Sequence, residues 1–374
     1  MIDRQRIVTT GITTAAVATV ALALWLRPWK TEGLADVRPP EPVAKGHAVD
    51  IVFAVDTTGS MGGLLDGAKR TVWSIANQVR EIDPQADLRV GLVAYRDVGD
   101  EYVTRDFALS DDLDAMYAEL TSFQPAGGGD VPENVDAALY DAVHKMKWRS
   151  GAKKMIFLVG DAPPATRGEV PSFGDTAKLA ADKQIKINTI RCGQDGETAQ
   201  AWERIAMIGH GQFSTIEQDG GVQQIATPYD DRMAQLAAEI DSTTVVYGDA
   251  TARTAYEGKM AGVAAAPAAT RADRGVYYAK KGAAPAKPSE DAVAAVAGGA
   301  SIESLDADKL PEDMKAKSKD ELKADLAERA KKREQAQKAI ADLAKQRDEY
   351  IKANAKNEGG FDNAVKKTLE TQLK

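Results

Sequence analysis

The chain has 374 residues, with 56 acidic and 48 basic side chains and a formal net charge of −8. That length admits two domains or one domain with long extensions, and the acidic balance argues against free nucleic acid as a partner. A lone cysteine, Cys192, excludes an intrachain disulfide, and three unclustered histidines, His47, His144 and His210, argue against a zinc site.

The first element in the chain is apolar. Ile7–Leu26 carries no charge over 20 residues, long enough to cross a bilayer as a helix. Arg4 and Arg6 precede it, and Trp25 and Trp29 lie at its far end, as at a membrane interface. Residues 1–30 therefore read as a single-pass signal-anchor. Ala21-Leu22-Ala23 offers a signal-peptide cleavage site as the alternative, but the apolar run continues past it. Arg27, Lys30 and Arg38 on the far side weaken the charge bias. Large domains translocate largely regardless of charge, so the bulk of the chain is expected outside the cytoplasm, periplasmic or at the cell surface. Residues 31–46 follow as a stiff linker around Arg38-Pro39-Pro40-Glu41-Pro42.

From His47 the pattern becomes that of a folded domain. Val49–Val55 is an apolar run ending in Asp56-Thr57-Thr58-Gly59-Ser60, which reads as a buried strand opening into a loop. Asp56, Thr58 and Ser60 recur at every second position, so a tight loop can aim three oxygens at one point. Carboxylate and hydroxyl oxygens, with no thiol or imidazole, suit a hard cation such as Mg²⁺, Mn²⁺ or Ca²⁺. The same motif alone is also compatible with side chains capping a following helix.

Leu64–Ile82 is helical in its spacing and Leu88–Tyr95 is a strand. Tyr102–Leu109 is a shorter, partly polar strand suited to a sheet edge. Asp111–Ser122 is helical, with Asp111 and Asp112 as helix-start charges. Gly127-Gly128-Gly129-Asp130-Val131-Pro132-Glu133 is a glycine-rich loop ending in carboxylates, and Pro132 suits the first turn of a helix over Glu133–Lys147. The glycines lack the lysine and spacing of a phosphate-binding loop. Met155–Gly160 is a strand ending in Asp161. Asp175–Gln184, Glu197–Ile208 and Val222–Ile240 then alternate as helices with strands Ile187–Cys192 and Gln212–Ile216. Cys192 reads as a buried inert thiol. Alternating strands and helices imply an α/β fold, a doubly wound, mostly parallel sheet over residues 47–243.

These residues resemble a von Willebrand factor type A domain with a metal-ion-dependent adhesion site. The family writes its first motif Asp-x-Ser-x-Ser; this chain has Asp56-x-Thr58-x-Ser60. Asp161 matches the late aspartate. Asp130-Val131-Pro132-Glu133 resembles the variant of integrin β subunits, which implies Glu133 rather than Asp130 at the ion. The resemblance implies a metal set of Asp56, Thr58, Ser60, Glu133 and Asp161, with Asp130 in the loop or in a weak second site. Met61-Gly62-Gly63-Leu64-Leu65 lacks the carboxylates of the adjacent integrin site. A third integrin-type site would draw on Asp97, Asp130 and Glu133, with Gly128 where the family has Asn.

Residues 244–316 are rich in Ala, Gly and Pro and read as linker. Residues 317–374 read as an amphipathic helical tail. Ser318-Lys319-Asp320-Glu321 is a capping box, and Leu322, Leu326, Ala330, Ile340, Leu343 and Tyr350 form a narrow apolar stripe. Phe361, Val365, Leu369 and Leu373 form a second, shorter one. A coiled coil that joins copies of the chain, a solvated helix and a hairpin packing on itself all fit, since Arg329 and Arg333 interrupt the heptads.

Two functions compete. The resemblance implies a non-enzymatic module that binds a protein partner by offering a divalent cation to the partner's acidic side chain. The alternative is a phosphatase or phosphotransferase of the haloacid-dehalogenase type with Asp56 as nucleophile. That chemistry wants a lysine after the nucleophile and a second late acid, where this chain has Thr57 and Ala165.

Overall fold

The computed structural model describes residues 47–128, 132–222, 225–355 and 359–374. Its first strand explains the rest. β1 (Ala48–Asp56) is buried along its whole length, as a strand apolar on both faces must be. Its inner charge, Asp50, is met by Arg89 and Arg149. β1 pairs in parallel with β2 (Asp87–Tyr95) on one side and β4 (Lys153–Gly160) on the other. β3 (Thr104–Ser110) is an antiparallel edge strand, while β5 (Ile185–Cys192) and β6 (His210–Ile216) extend the other side in parallel. The sheet order is β3-β2-β1-β4-β5-β6. Chain direction across the sheet reverses between β1 and β4, and the carboxyl ends of these two strands bound the crevice where such sheets place ligands.

Alternate residues of β1 feed two cores. Val49, Ile51, Phe53 and Val55 pack with α1 (Gly62–Ile82) and α2 (Leu113–Ser122). Val52 and Ala54 pack on the opposite side with α3 (Val135–His144), α4 (Phe173–Asp182) and α5 (Gly196–Ile208). Asp112 caps α2 through Ala115 N at 3.0 Å. α3 starts two residues later than Glu133, because Asn134 Oδ1 accepts from Ala137 N and caps it. The helix expected from Val222 begins at Asp230, as α6 (Asp230–Ser242).

The stretch 244–316, expected as a linker, is instead helical and packed. It holds α7 (Ala250–Ala264), α8 (Ala268–Lys281), α9 (Ala292–Ala297) and α10 (Glu312–Lys315). Alanine, read as low complexity, is the strongest helix former. Pro267 precedes the first turn of α8 and left-handed Gly282 ends it. The tail begins with α11 (Lys319–Asn354), which carries the expected capping box. Its stripe does not wait for another copy of the chain. Ala336, Ile340 and Ala344 pack on α6 and α8, and Leu322 and Leu326 pack on Val245, Ala292 and Leu310. Arg333, which interrupts the heptads, is part of this contact, as is Arg347 further along the helix. Buried Arg333 pairs with Asp291 at 2.8 Å, and buried Arg347 pairs with Asp230 and Asp273 at 2.7 and 2.6 Å. From α8, Arg274 pairs with Asp114 of α2 at 2.6 Å and Asp241 of α6 at 2.9 Å.

The last helix, α12 (Phe361–Gln372), returns to the sheet. Phe361, Ala364, Val365 and Leu369 join the same core as Phe53 and α1. The Phe361 ring lies 6.2 Å from that of Phe53, which stacks on Phe157. The third helix of this face thus comes from the chain's C-terminal segment.

Among the described residues no helix is long and apolar enough to cross a membrane. The expected anchor Ile7–Leu26, the linker 31–46 and Asp130 lie outside the described residues.

Candidate functional site

The site is built where β1 ends. Asp56 is fully buried. Its Oδ1 accepts from Thr58 N at 2.8 Å and from Thr58 Oγ1 at 2.7 Å. Ser60 Oγ lies 3.3 Å from Thr58 Oγ1. The every-second-residue spacing therefore gathers a carboxylate and two hydroxyls in one turn, with Ser60 exposed and Thr58 buried. Asp56 Oδ2 is buried and has no hydrogen-bond partner.

Two further acids come from other segments. Asp161 follows β4, the neighbour of β1. Glu133 is buried and its backbone bridges to the segment after Asp161, donating to Pro163 O at 3.0 Å and accepting from Ala165 N at 2.8 Å. The charges of Asp56, Glu133 and Asp161 all reach the Tyr95 hydroxyl, which donates to Val159 O at 3.2 Å. Burial first, then these three acids, push the Tyr95 phenol well above its ordinary value. Burial likewise pushes Asp56 up to about 7, against the opposing hydrogen bonds from Thr58. Asp161 raises it further, by repulsion between the two carboxylates. The Cys192 thiol is also raised, by burial and then by Asp161 and Asp56. It stays protonated and fits the reading of a packing residue.

The surrounding loops are held tightly. Arg96, itself buried, donates to Thr57 O at 3.2 Å and Gln124 O at 2.8 Å. That ties the Asp56–Ser60 turn to the loop before the glycines. Gly59 N donates to Gly127 O at 3.4 Å. Gly127 has φ +81°, and a Cβ there would meet Asp100 Oδ1 at 2.2 Å. Only glycine allows that approach. Asp97, weighed for a third integrin-type site, is engaged by the Arg167 guanidinium, with Arg167 Nε 3.0 Å from Asp97 Oδ1. A fixed cationic side chain already balances that carboxylate.

Among the described residues, no group of three His, Cys, Asp or Glu side chains is arranged to hold a metal ion. A cation at this end of the sheet would take hydroxyl oxygens of Thr58 and Ser60 alongside carboxylates. The donors are of the hard oxygen type, and Asp56 Oδ2 is a buried acceptor without a donor. The residues present fit a hard divalent cation on those two grounds.

Tyr95, Arg167 and Gln218 escaped the sequence reading. Gln218 Nε2 donates to Asp161 Oδ2 at 2.6 Å. Gln218 lies just past β6, as Asp56 closes β1 and Asp161 lies just past β4, and that shared position was the available signal.

Residues 50–228 match the model of the von Willebrand factor type A domain. These residues are a von Willebrand factor type A domain. The chain is 26% identical over 123 residues to the alpha-protein kinase vwkA of Dictyostelium discoideum, covering 32% of this chain and 19% of that protein. It is 27% identical over 116 residues to the putative ariadne-like RING finger protein R811 of Acanthamoeba polyphaga mimivirus, covering 31% and 11%. The chain thus spans a fifth or less of the length of these curated relatives. Among solved structures it resembles proximal thread matrix protein 1 of the mussel byssus with a zinc-occupied MIDAS motif. That match has 18% identity and a TM-score of 0.36, covering 46% of this chain and 41% of that one.

Proposed function

We propose that the von Willebrand factor type A domain binds a protein partner through a divalent cation, Mg²⁺ or its relatives Mn²⁺ and Ca²⁺. Thr58 and Ser60 would hold the cation through their hydroxyls, with Asp56, Glu133 and Asp161 supplying carboxylates. When bound, the cation supplies a Lewis-acidic position that a partner's Asp or Glu carboxylate can fill. The carrying observation is Asp56, a fully buried carboxylate with one oxygen bound by Thr58 and the other without a donor. Such a group is costly unless a positive charge meets it. The protein's own part is positional: Arg96 and the glycine loop hold the Asp56–Ser60 turn, and Ser60 keeps one side of it open to a partner.

In this reading the module does no chemistry on its partner. With Ile7–Leu26 as an uncleaved anchor, the domain would work outside the cytoplasm, tethered to the membrane. The test uses Mn²⁺ and glutarate, a small dicarboxylate, with the full chain. Mn²⁺ bound by the chain should enhance water-proton relaxation, and glutarate should lower that enhancement by displacing water. No enhancement, or one that glutarate leaves unchanged, contradicts the proposal.

A further inference from the structure

The turn that follows β6 has no role in the reading so far, yet it reaches the site. Gln218 is exposed at its end, but its amide is bracketed on both sides. Nε2 donates to Asp161 Oδ2 at 2.6 Å. Oε1 lies over Gly193, where φ is +74° and a Cβ would meet that oxygen at 2.2 Å. Gly193 N donates to Ile216 O at 3.0 Å, holding the end of β5 beside the end of β6. An exposed glutamine is ordinarily a solvated surface group. This one fits a space that a side chain at position 193 would close.

The turn itself is pinned to other elements. Gly220 N donates to Glu217 O at 2.9 Å and Gly221 N to Asp219 Oδ1 at 2.9 Å, closing the turn. Asp219 lies against Gly63, where a Cβ would approach it to 2.9 Å. Gly63 is in the first turn of α1, three residues after Ser60. On the other side, Phe361 N donates to Gly220 O at 2.9 Å. The start of α12 therefore braces the turn. A groove of about 410 Å³ runs between this turn and the first site residues, lined by Ser60, Gly63, Glu217, Gln218 and Asp219.

We infer that Gln218 is a positioning residue of the cation site, fixing the Asp161 carboxylate from outside, and that α12 holds it there. The inference rests on the cation reading above. Its physical basis is that a carboxylate facing another carboxylate tends to rotate away from it. A hydrogen bond to Oδ2 removes that freedom before an ion arrives. Partners of ligand groups of this kind typically contribute 10- to 100-fold in metal affinity.

The test is Mg²⁺ calorimetry on the full chain, with Gln218→Ala, Gln218→Asn and Phe361→Leu. Gln218→Ala and Gln218→Asn should each weaken Mg²⁺ binding about tenfold. Their melting temperature in EDTA should stay at the wild-type value, because the side chain is exposed. Phe361→Leu keeps the core filled and keeps the backbone N–H that donates to Gly220 O, so it is the control and should bind Mg²⁺ as the wild type does. A Gln218→Ala chain that binds Mg²⁺ within about twofold of wild type, short of the tenfold loss expected, overturns the inference and leaves the cation reading standing. A lowered melting temperature in EDTA with unchanged affinity marks a merely structural residue and also overturns it. A wild-type chain that binds no Mg²⁺ overturns both.

Discussion

Asp161 raises the proton affinity of Asp56. Asp56 ends β1 and Asp161 follows the neighbouring parallel strand β4; burial first, then Asp161, pushes Asp56 up to about 7. A buried carboxylate beside a half-buried one, with hydroxyls of Thr58 and Ser60 next to Asp56, is unfavourable for a bare fold and favourable for one with a cation.

The pH dependence follows from this pair. Unfolded, an aspartate titrates at about 3.9, below the folded value of about 7. Without cation, the contribution of Asp56 to stability is full below the unfolded value and is lost as pH rises through the folded one. In EDTA the melting temperature should fall between about pH 4 and about pH 7, and Asp56→Asn should flatten that fall. With Mg²⁺ the dependence should reverse, because ion and proton compete for the same carboxylate. The stabilising shift on adding Mg²⁺ should therefore grow with pH. Differential scanning calorimetry checks both trends; a wild-type profile in EDTA no steeper than that of Asp56→Asn contradicts them.

The C-terminal helix belongs to the core of the sheet. Phe361 is 2% exposed and packs on Phe53. Phe361→Ala should destabilise the chain by about 3–5 kcal/mol, the usual range for a large aromatic removed from a core. Urea unfolding measures it. A loss below about 1 kcal/mol, the range of surface changes, would mean that α12 is an appendage.

The long helix is fastened by charge as well as by its apolar stripe. Arg347 is buried between Asp230 and Asp273. Arg347→Ala leaves buried Asp230 and half-buried Asp273 without this partner and should cost about 3–5 kcal/mol. Arg329, half-exposed on the same helix, pairs with Asp325 four residues away. Arg329→Ala should cost about 0.5 kcal/mol. Equal losses at the two positions in urea unfolding would contradict the buried-clamp account.

Much of the sheet was legible from residues alone. Val49–Val55 had to be a central strand because both its faces are apolar, and the loops carrying Asp56 and Asp161 lie beyond the strand ends where the alternation of elements put them. Glu133 was legible as a loop carboxylate, although its helix starts later, because Asn134 outcompetes it as a cap. The stretch 244–316 was misread for a physical reason. Alanine-rich segments have no strong apolar period, and their faces become visible only when Met233, Ile240 and Ile340 supply the opposite surface. Arg333 looked like a break in a stripe because sequence spacing does not show that Asp291 lies across from it. Gln218 was missed because its partner Asp161 is 57 residues away in sequence, and only its place just past a strand end pointed to the site.

The most direct test of the central claim is calorimetric titration of Mg²⁺ into the full chain and its Asp56→Ala variant. The account predicts one saturable site in the wild type and none in Asp56→Ala, with the variant still folded by circular dichroism. Equal Mg²⁺ binding by the two chains, or none by a folded wild type, would contradict it.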